Sequence, residues 1–327
     1  MRRPVHPAAG ARDVRPCGVT SGPSAAGPAG PDARRPADPP AALVARLRAA
    51  GCVFAEDEAA LLVAAAAERR RTGGRGAAGE APDGSPGGAG GPGDDAEGPG
   101  DDPVLAALVA RRVGGEPLET VLGWVAFAGL RLLVGPGVFV PRRRTELLAR
   151  TAAGLARAAG PAPVVVEACC GVAPVAAVVA RDVPGADVHA ADLDPVAVTW
   201  AARNLAGVGR AWAGDLLDPL PADLRGRVDV LVANAPYVPH DAIATMPPEA
   251  REHEPRVALD GGPDGVDVQR RLLAAAGAWL RPGGHVLVET SLRQTDLTRA
   301  ACPRGWATEV LHDDDVDGTV VVAHHPG

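Results

Sequence analysis

Asp229-Val-Leu-Val-Ala-Asn234-Ala-Pro-Tyr237-Val-Pro239 is an apolar run that stops at an asparagine and passes into a proline-flanked turn carrying a tyrosine. The run reads as a buried strand. Its C-terminal end then delivers an amide side chain and an aromatic ring into a cleft, because ligands bind outside the carboxyl ends of the strands in open α/β sheets. The competing reading is an ordinary turn, for which Asn and Pro are common residues. Residue usage bears on the choice. Asn occurs only at 204 and 234, Tyr only at 237 and Ile only at 243, and the basic side chains are all Arg. Such usage follows from a GC-rich coding sequence. Asp, Gly or Ser would make a turn as well, so Asn234 and Tyr237 standing together favour a site.

Working outward, strands and helices alternate. Val164–Val166, Ala186–Ala190, Arg210–Ala213, Val228–Ala233 and His285–Glu289 read as strands. Thr145–Ala159, Val175–Arg181, Pro195–Leu205 and Val266–Leu280 read as helices, and Trp306–Leu311 with Thr319–Ala323 as a closing hairpin. This order predicts a mostly parallel, doubly wound α/β sheet. Upstream, Thr120–Val134 reads as two short strands turning near Gly129. Residues 41–115 read as a small helical module interrupted by a Gly-rich acidic insert over 72–102, and 1–40 as a disordered tail. The segments at 116–140 and 141–327 are then a β-hairpin linker and the main α/β domain.

The chain of 327 residues is 46% hydrophobic, with a formal net charge of −7, which argues against a chain-wide electrostatic grip on nucleic acid. Its five Cys form no C-x-x-C pair, as expected of a reducing cytoplasmic compartment, and no metal site is expected. No apolar run approaches the ~18 residues of a membrane span.

Chemistry-bearing residues recur at successive strand ends. Glu167-Ala-Cys169-Cys170-Gly171 follows the first strand, and Asp192 follows the second, 25 residues after Glu167. Gly214-Asp215-Leu216 follows the third and Asn234 the fourth. A carboxylate ending the second strand is placed to accept from two ribose hydroxyls. One after the third can face an adenine amino group. Four such ends in register point to an adenosine-bearing cofactor.

Three motifs narrow this further: Pro141-Arg-Arg-Arg-Thr145-Glu146, Asn234-Ala-Pro-Tyr237, and Glu254-Pro-Arg-Val-Ala-Leu259 followed by Asp264-Gly265. With them, the chain from about Glu116 to Val322 resembles the class I S-adenosylmethionine (SAM) methyltransferases. More narrowly, it resembles the protein N(5)-glutamine methyltransferases that act on release factors. The resemblance implies a seven-stranded Rossmann-like domain preceded by a helical module and a β-hairpin. It also implies SAM as methyl donor and a protein substrate bearing an exposed glutamine, the peptide chain release factor by family default. It places the loop Cys169, Cys170, Gly171, Val172 and Ala173 against the amino-acid end of SAM, Asp192 on the ribose, and Asp215 with Leu216 at the adenine. The Asn234 side chain and Ala235 carbonyl would accept from the substrate carboxamide, with Pro236 and Tyr237 completing the acceptor wall.

Three departures from the family pattern stand out. Ala173 occupies the last glycine position of the loop, where a positive φ would strain it and its Cβ would crowd the cofactor. Pro174 removes a backbone N–H. Ala235 replaces a proline. Arg142–Arg144 read either as a solvated run or as a contact for an acidic group. Two other functional readings stay open: methylation of an exocyclic base nitrogen, which shares the Asn-Pro-Pro-aromatic logic, and a paralogue impaired in SAM binding that serves as a binding module.

Overall fold

The computed structural model describes residues 39–73 and 102–327. The tail expected over 1–40 and the insert expected over 72–102 lie outside the described residues except at their edges.

Three helices open the described chain: α1 (Ala41–Ala49), α2 (Ala55–Arg71) and α3 (Pro103–Val113). The Asp102 side chain accepts from the Val104 N–H at 3.0 Å and Pro103 takes the first turn, which together start α3. Val44, Leu47, Leu62, Leu105, Leu108 and Val109 bury one small core between the three helices. Arg112 of α3 pairs with the buried Glu58 of α2 at 2.6 Å. Glu58, in the acidic first turn of α2, is thus an internal ion-pair partner.

A short helix α4 (Leu118–Leu122) precedes the hairpin of β1 (Trp124–Phe127) and β2 (Leu130–Leu133). The first strand is therefore shorter than the sequence suggests. Pro117 starts a helical turn, and Gly123 at φ 85° closes it in the left-handed region, so Thr120–Leu122 never extend.

The main domain follows as α5 (Thr145–Ala159), β3 (Val164–Ala168), α6 (Pro174–Asp182), β4 (Asp187–Asp192), α7 (Pro195–Asn204), β5 (Arg210–Ala213), β6 (Val228–Ala233), α8 (Pro248–His253), α9 (Asp267–Ala276), β7 (Leu280–Glu289), α10 (Thr295–Ala301), β8 (Ala307–Asp313) and β9 (Gly318–His324). The sheet is seven-stranded in the order β5-β4-β3-β6-β7-β9-β8. Pairing is parallel from β5 through β7, and β9 and β8 close the edge antiparallel. Two-residue alternation divides the core. Val165, Val230, Val232 and Leu287 face α5, α6 and α7, whereas Val164, Val166, Leu231, Val286 and Val288 face the α9 side.

The helix expected over 266–280 stops at Ala276, because Leu280 already pairs with Val228 at the start of β7. The register then slips, and His285 meets Val230, so Arg281–Gly284 bulge out of the ladder. The short helices α8 and α10 carry too little periodicity to be read from sequence.

Candidate active site

β3 ends at Ala168, and the next residues make a tight loop into α6. Cys169, Gly171 and Ala173 alternate at φ 52°, 54° and 61°, all left-handed. Backbone hydrogen bonds fix the turn: Cys170 N–H donates to Ala191 O at 3.0 Å, and Ala173 N–H to Cys170 O at 2.7 Å. Asp192, at the end of β4, receives the Gly171 N–H on Oδ2 at 2.8 Å and the Asp194 N–H on Oδ1 at 2.9 Å. Gly171 leaves the space where a Cβ would stand open.

Glu167 lies under this loop, 2% exposed. Its carboxyl accepts from Ala176 N–H at 2.7 Å and Val175 N–H at 3.3 Å, the first free donors after Pro174. The start of α6 is therefore occupied from within the chain, which is why a proline is tolerated there. Burial pushes the Glu167 carboxyl up to about 8 against the pull of those two donors, and the Asp192 charge adds to the rise. Burial likewise raises Asp192 and holds the Cys169 and Cys170 thiols far above the usual range, so neither is a thiolate nucleophile.

Asn204, the only other asparagine, was given no role by sequence reasoning. Its Nδ2 donates to Val172 O at 2.9 Å and Leu133 O at 3.0 Å, and its Oδ1 accepts from Leu133 N–H at 2.8 Å. One amide thus ties the hairpin to the loop. Its rarity was the available signal.

The second half of the site is built around β6 and β7. Asn234 Nδ2 donates to Thr145 Oγ1 at 3.2 Å. Ala235 is fully buried. Tyr237 Oη donates to Glu289 Oε1 at 3.4 Å, and burial with the Glu289 charge beside it pushes the phenol up to about 12. Gln294 Nε2 donates to Tyr237 O at 2.9 Å and Asp264 O at 3.1 Å. Val238 N–H donates to Leu259 O at 3.0 Å, and Gly261 N–H to Val238 O at 2.9 Å, which stitches the turn after Tyr237 to the Leu259–Gly265 segment. The Pro-Arg and Glu-Pro motifs are likewise partners. Glu254 accepts from Val140 N–H at 3.2 Å and from Arg142 at 2.5 Å. Arg142 is thereby engaged within the chain, Arg143 is exposed, and Arg144 lines the cavity.

A single cavity of about 520 Å³ joins the two halves. Glu167, Cys169, Cys170, Gly171, Val172, Asp192, Asp215, Leu216, Asn234, Ala235, Pro236 and Tyr237 all line it. Ala173 does not; it is fully buried among Val172, Val175 and Val179 in the core beneath the loop. The expectation that its methyl crowds a ligand is therefore corrected: with φ positive at this residue, the Cβ points into the core. The strain and the lost burial are of similar size, about 1–2 kcal/mol against about 0.8 for a methyl group and 0.5–1 for glycine entropy. Ala173→Gly is expected to leave stability within about 1 kcal/mol of the parent. Ala173→Val, β-branched at a left-handed position in a filled core, is expected to cost about 2 kcal/mol or more in urea unfolding.

No family model matches the chain. Curated relatives do. The release factor glutamine methyltransferase of Streptomyces coelicolor is 40% identical over 215 residues, covering 63% of this chain and 75% of the relative. That of Mycolicibacterium smegmatis is 42% identical over 230 residues, covering 67% and 79%. The chain belongs to the release factor glutamine methyltransferase family. A 4-amino-L-phenylalanine/4-methylamino-L-phenylalanine methyltransferase of Streptomyces pristinaespiralis is also 40% identical, over 55% of this chain and 63% of that protein.

As a member of the release factor glutamine methyltransferase family, the chain is a SAM-dependent methyltransferase. The residues present fit that donor. Asp192, Asp194 and Asp215 give the loop half of the cavity a negative lining, and the Arg271 guanidinium beside them is already paired with Asp215. A ligand carrying a sulfonium and an ammonium matches such a surface. Among the described residues no cluster of side chains suits a metal ion, and no helix is long and apolar enough to cross a membrane.

Proposed function

We propose that this chain methylates the side-chain amide nitrogen of a glutamine in a peptide chain release factor. The observation that carries the reading is the orientation of Asn234. One of its N–H bonds goes to Thr145, which leaves Oδ1 free to accept from a ligand in the cavity that the residue lines. Oδ1 and the Ala235 carbonyl are then two acceptors for the two N–H bonds of a primary carboxamide. An amide nitrogen is a poor nucleophile because its lone pair is delocalised into its carbonyl. Fixing both N–H bonds aims that lone pair and favours pyramidal geometry, so positioning and electrostatics carry the rate. Neither acceptor is basic enough to remove a proton beforehand; the proton is lost to solvent once the new N–C bond has formed. Tyr237, its ring held by Glu289 and its carbonyl by Gln294, walls the pocket.

In this reading Asp192 holds the ribose hydroxyls of the donor, Asp215 and Leu216 border its adenine, and Cys169–Val172 with Glu167 face its amino-acid end. When bound, SAM supplies an electrophilic methyl group on a cationic sulfur. The helical module lies against the site: Arg112 reaches from α3 to Glu249 at 3.3 Å, and Glu249 lines the cavity.

The direct test is transfer of labelled methyl from SAM, with release factor, nucleic acid and free 4-aminophenylalanine offered separately. Label on a release-factor glutamine supports the reading. Label on either of the other two, with none on the release factor, replaces it.

The acidic lining gives binding a proton signature. Glu167 titrates near 8 in the folded chain against an ordinary value of 4.5, so between those values the fold binds more protons than the unfolded chain. Its contribution to stability is full below about 4.5 and is lost as pH rises through about 8. A cation in the lobe favours the carboxylate and lowers that pKa. SAM binding is therefore expected to release protons between about pH 7 and 8, seen as a dependence of the calorimetric enthalpy on buffer ionisation heat. Glu167→Gln is expected to remove most of that dependence.

A further inference from the structure

Glu289 ends β7 directly beside Asn234, which follows the end of β6, and sequence reasoning gave it no role. It is 1% exposed, and its Oε2 has no hydrogen-bond partner. Its Oε1 takes the Tyr237 hydroxyl, and Thr145 is near enough to this carboxyl to favour its charged form. Thr145 Oγ1 in turn receives the Asn234 N–H. A hydroxyl has one hydrogen. With its oxygen accepting from Asn234, Thr145 must send that hydrogen elsewhere, and the Glu289 carboxylate is the acceptor at hand.

We propose that Glu289 is a positioning residue that sets the direction of the acceptor clamp: as a carboxylate it takes the hydrogens of Thr145 and Tyr237, and so holds Asn234 with its carbonyl toward the substrate amide. Protonated Glu289 becomes a donor. Its hydrogen goes to Thr145 Oγ1, and the Thr145 hydrogen turns to Asn234. Only Oδ1 can receive it, so the side chain rotates and presents its NH2 to the substrate NH2. Two donors then face each other and the clamp is lost. This inference rests on the glutamine-amide reading.

The groups around Glu289 define its titration. The charged or titratable ones are Tyr237 from the turn after β6 and Arg144 from the segment before α5. From α5 comes Thr145, from α9 comes Gln269, which donates to the Glu289 backbone carbonyl at 3.3 Å, and from β9 comes Val320, all three without charge. Burial pushes Glu289 up to about 7, with Thr145, Arg144 and Tyr237 pulling it down.

The test is kcat for methyl transfer to release factor at saturating substrates from about pH 5.5 to 9, with SAM affinity measured in parallel by calorimetry. The wild-type kcat is expected to fall tenfold per pH unit below about 7. Glu289→Gln is expected to lower kcat at about pH 8 by roughly ten- to a hundredfold, flatten the acid limb and leave SAM affinity within about twofold. Glu289→Asp is expected to keep the limb. An unchanged acid limb in Glu289→Gln, with transfer still on glutamine, overturns the role of Glu289 alone. Wild-type protein that binds SAM yet labels no glutamine at any pH overturns both this inference and the function it rests on. Thr145→Val, which removes the relay but not the carboxyl, is expected to lose the limb as well, and Thr145→Ser to keep it. If Glu289→Gln does not fold, an acid limb unchanged in Thr145→Val overturns the proposal in its place.

Discussion

Asn234→Ala is expected to lower kcat for methyl transfer to glutamine by about a hundred- to a thousandfold, the loss typical of one fixed polar group in a preorganised site. SAM affinity is expected to change far less, because Glu167, Asp192 and the Cys169–Val172 backbone stay in place to line the donor half of the cavity. The expected effect on stability is small. The side chain makes one 3.2 Å hydrogen bond to Thr145, and its carbonyl has no partner among the described residues. The substrate amide in the variant keeps only the Ala235 carbonyl, so it rotates and its lone pair loses aim. Single-turnover kinetics with preformed SAM complex measure the loss at the chemical step. Full transfer activity in Asn234→Ala would refute the clamp.

Gly265→Ala is expected to lose both stability, by about 2–4 kcal/mol, and activity. The residue sits at φ 81°, and a Cβ there would collide with the Tyr237 carbonyl and the Gln294 amide and stand 3.2 Å from Pro239 Cδ. The Gln294 end can swing away. The Tyr237 carbonyl cannot, because it belongs to the turn that presents the acceptor wall. Relief requires the whole turn to move, and with it Tyr237 and the Ala235 carbonyl. Urea unfolding and methyl transfer report the two losses. Removing the yielding neighbour separates them: Gly265→Ala with Gln294→Ala should still be inactive, since the backbone collision remains. A double variant with restored transfer would show that Gln294 alone made the space tight.

The two expected outcomes bear on different parts of the same motif set. In the proposed reading Asn234 is needed for what its side chain accepts, and Asp264-Gly265 for the absence of a side chain where the acceptor turn passes. The strand ends at Glu167, Asp192, Asp215 and Asn234 were legible because each sits where an apolar run breaks at a polar residue. Glu289 ends a strand in the same way, but with no motif around it a buried carboxylate is indistinguishable from one that ends a solvated strand. The partners of Thr145 and Gln294 were hidden for a further reason. They are 89 and 57 residues away in the chain, and local pattern holds no trace of such distances.

By itself the sequence determined the parallel sheet, the order of its strands and helices, the residues at the strand ends and, through three motifs, the family. Those follow from periodicity and local chemistry, which act over a few residues. Tertiary structure decided the rest. It turned Ala173 into the core, handed the first free amides of α6 to Glu167, and engaged Arg142 with Glu254. It also set the Asn234 amide on Thr145 and the Tyr237 hydroxyl on Glu289. Hydrogen-bond direction and burial depend on which groups meet after folding, and a linear chain specifies those meetings only through the packing of the whole.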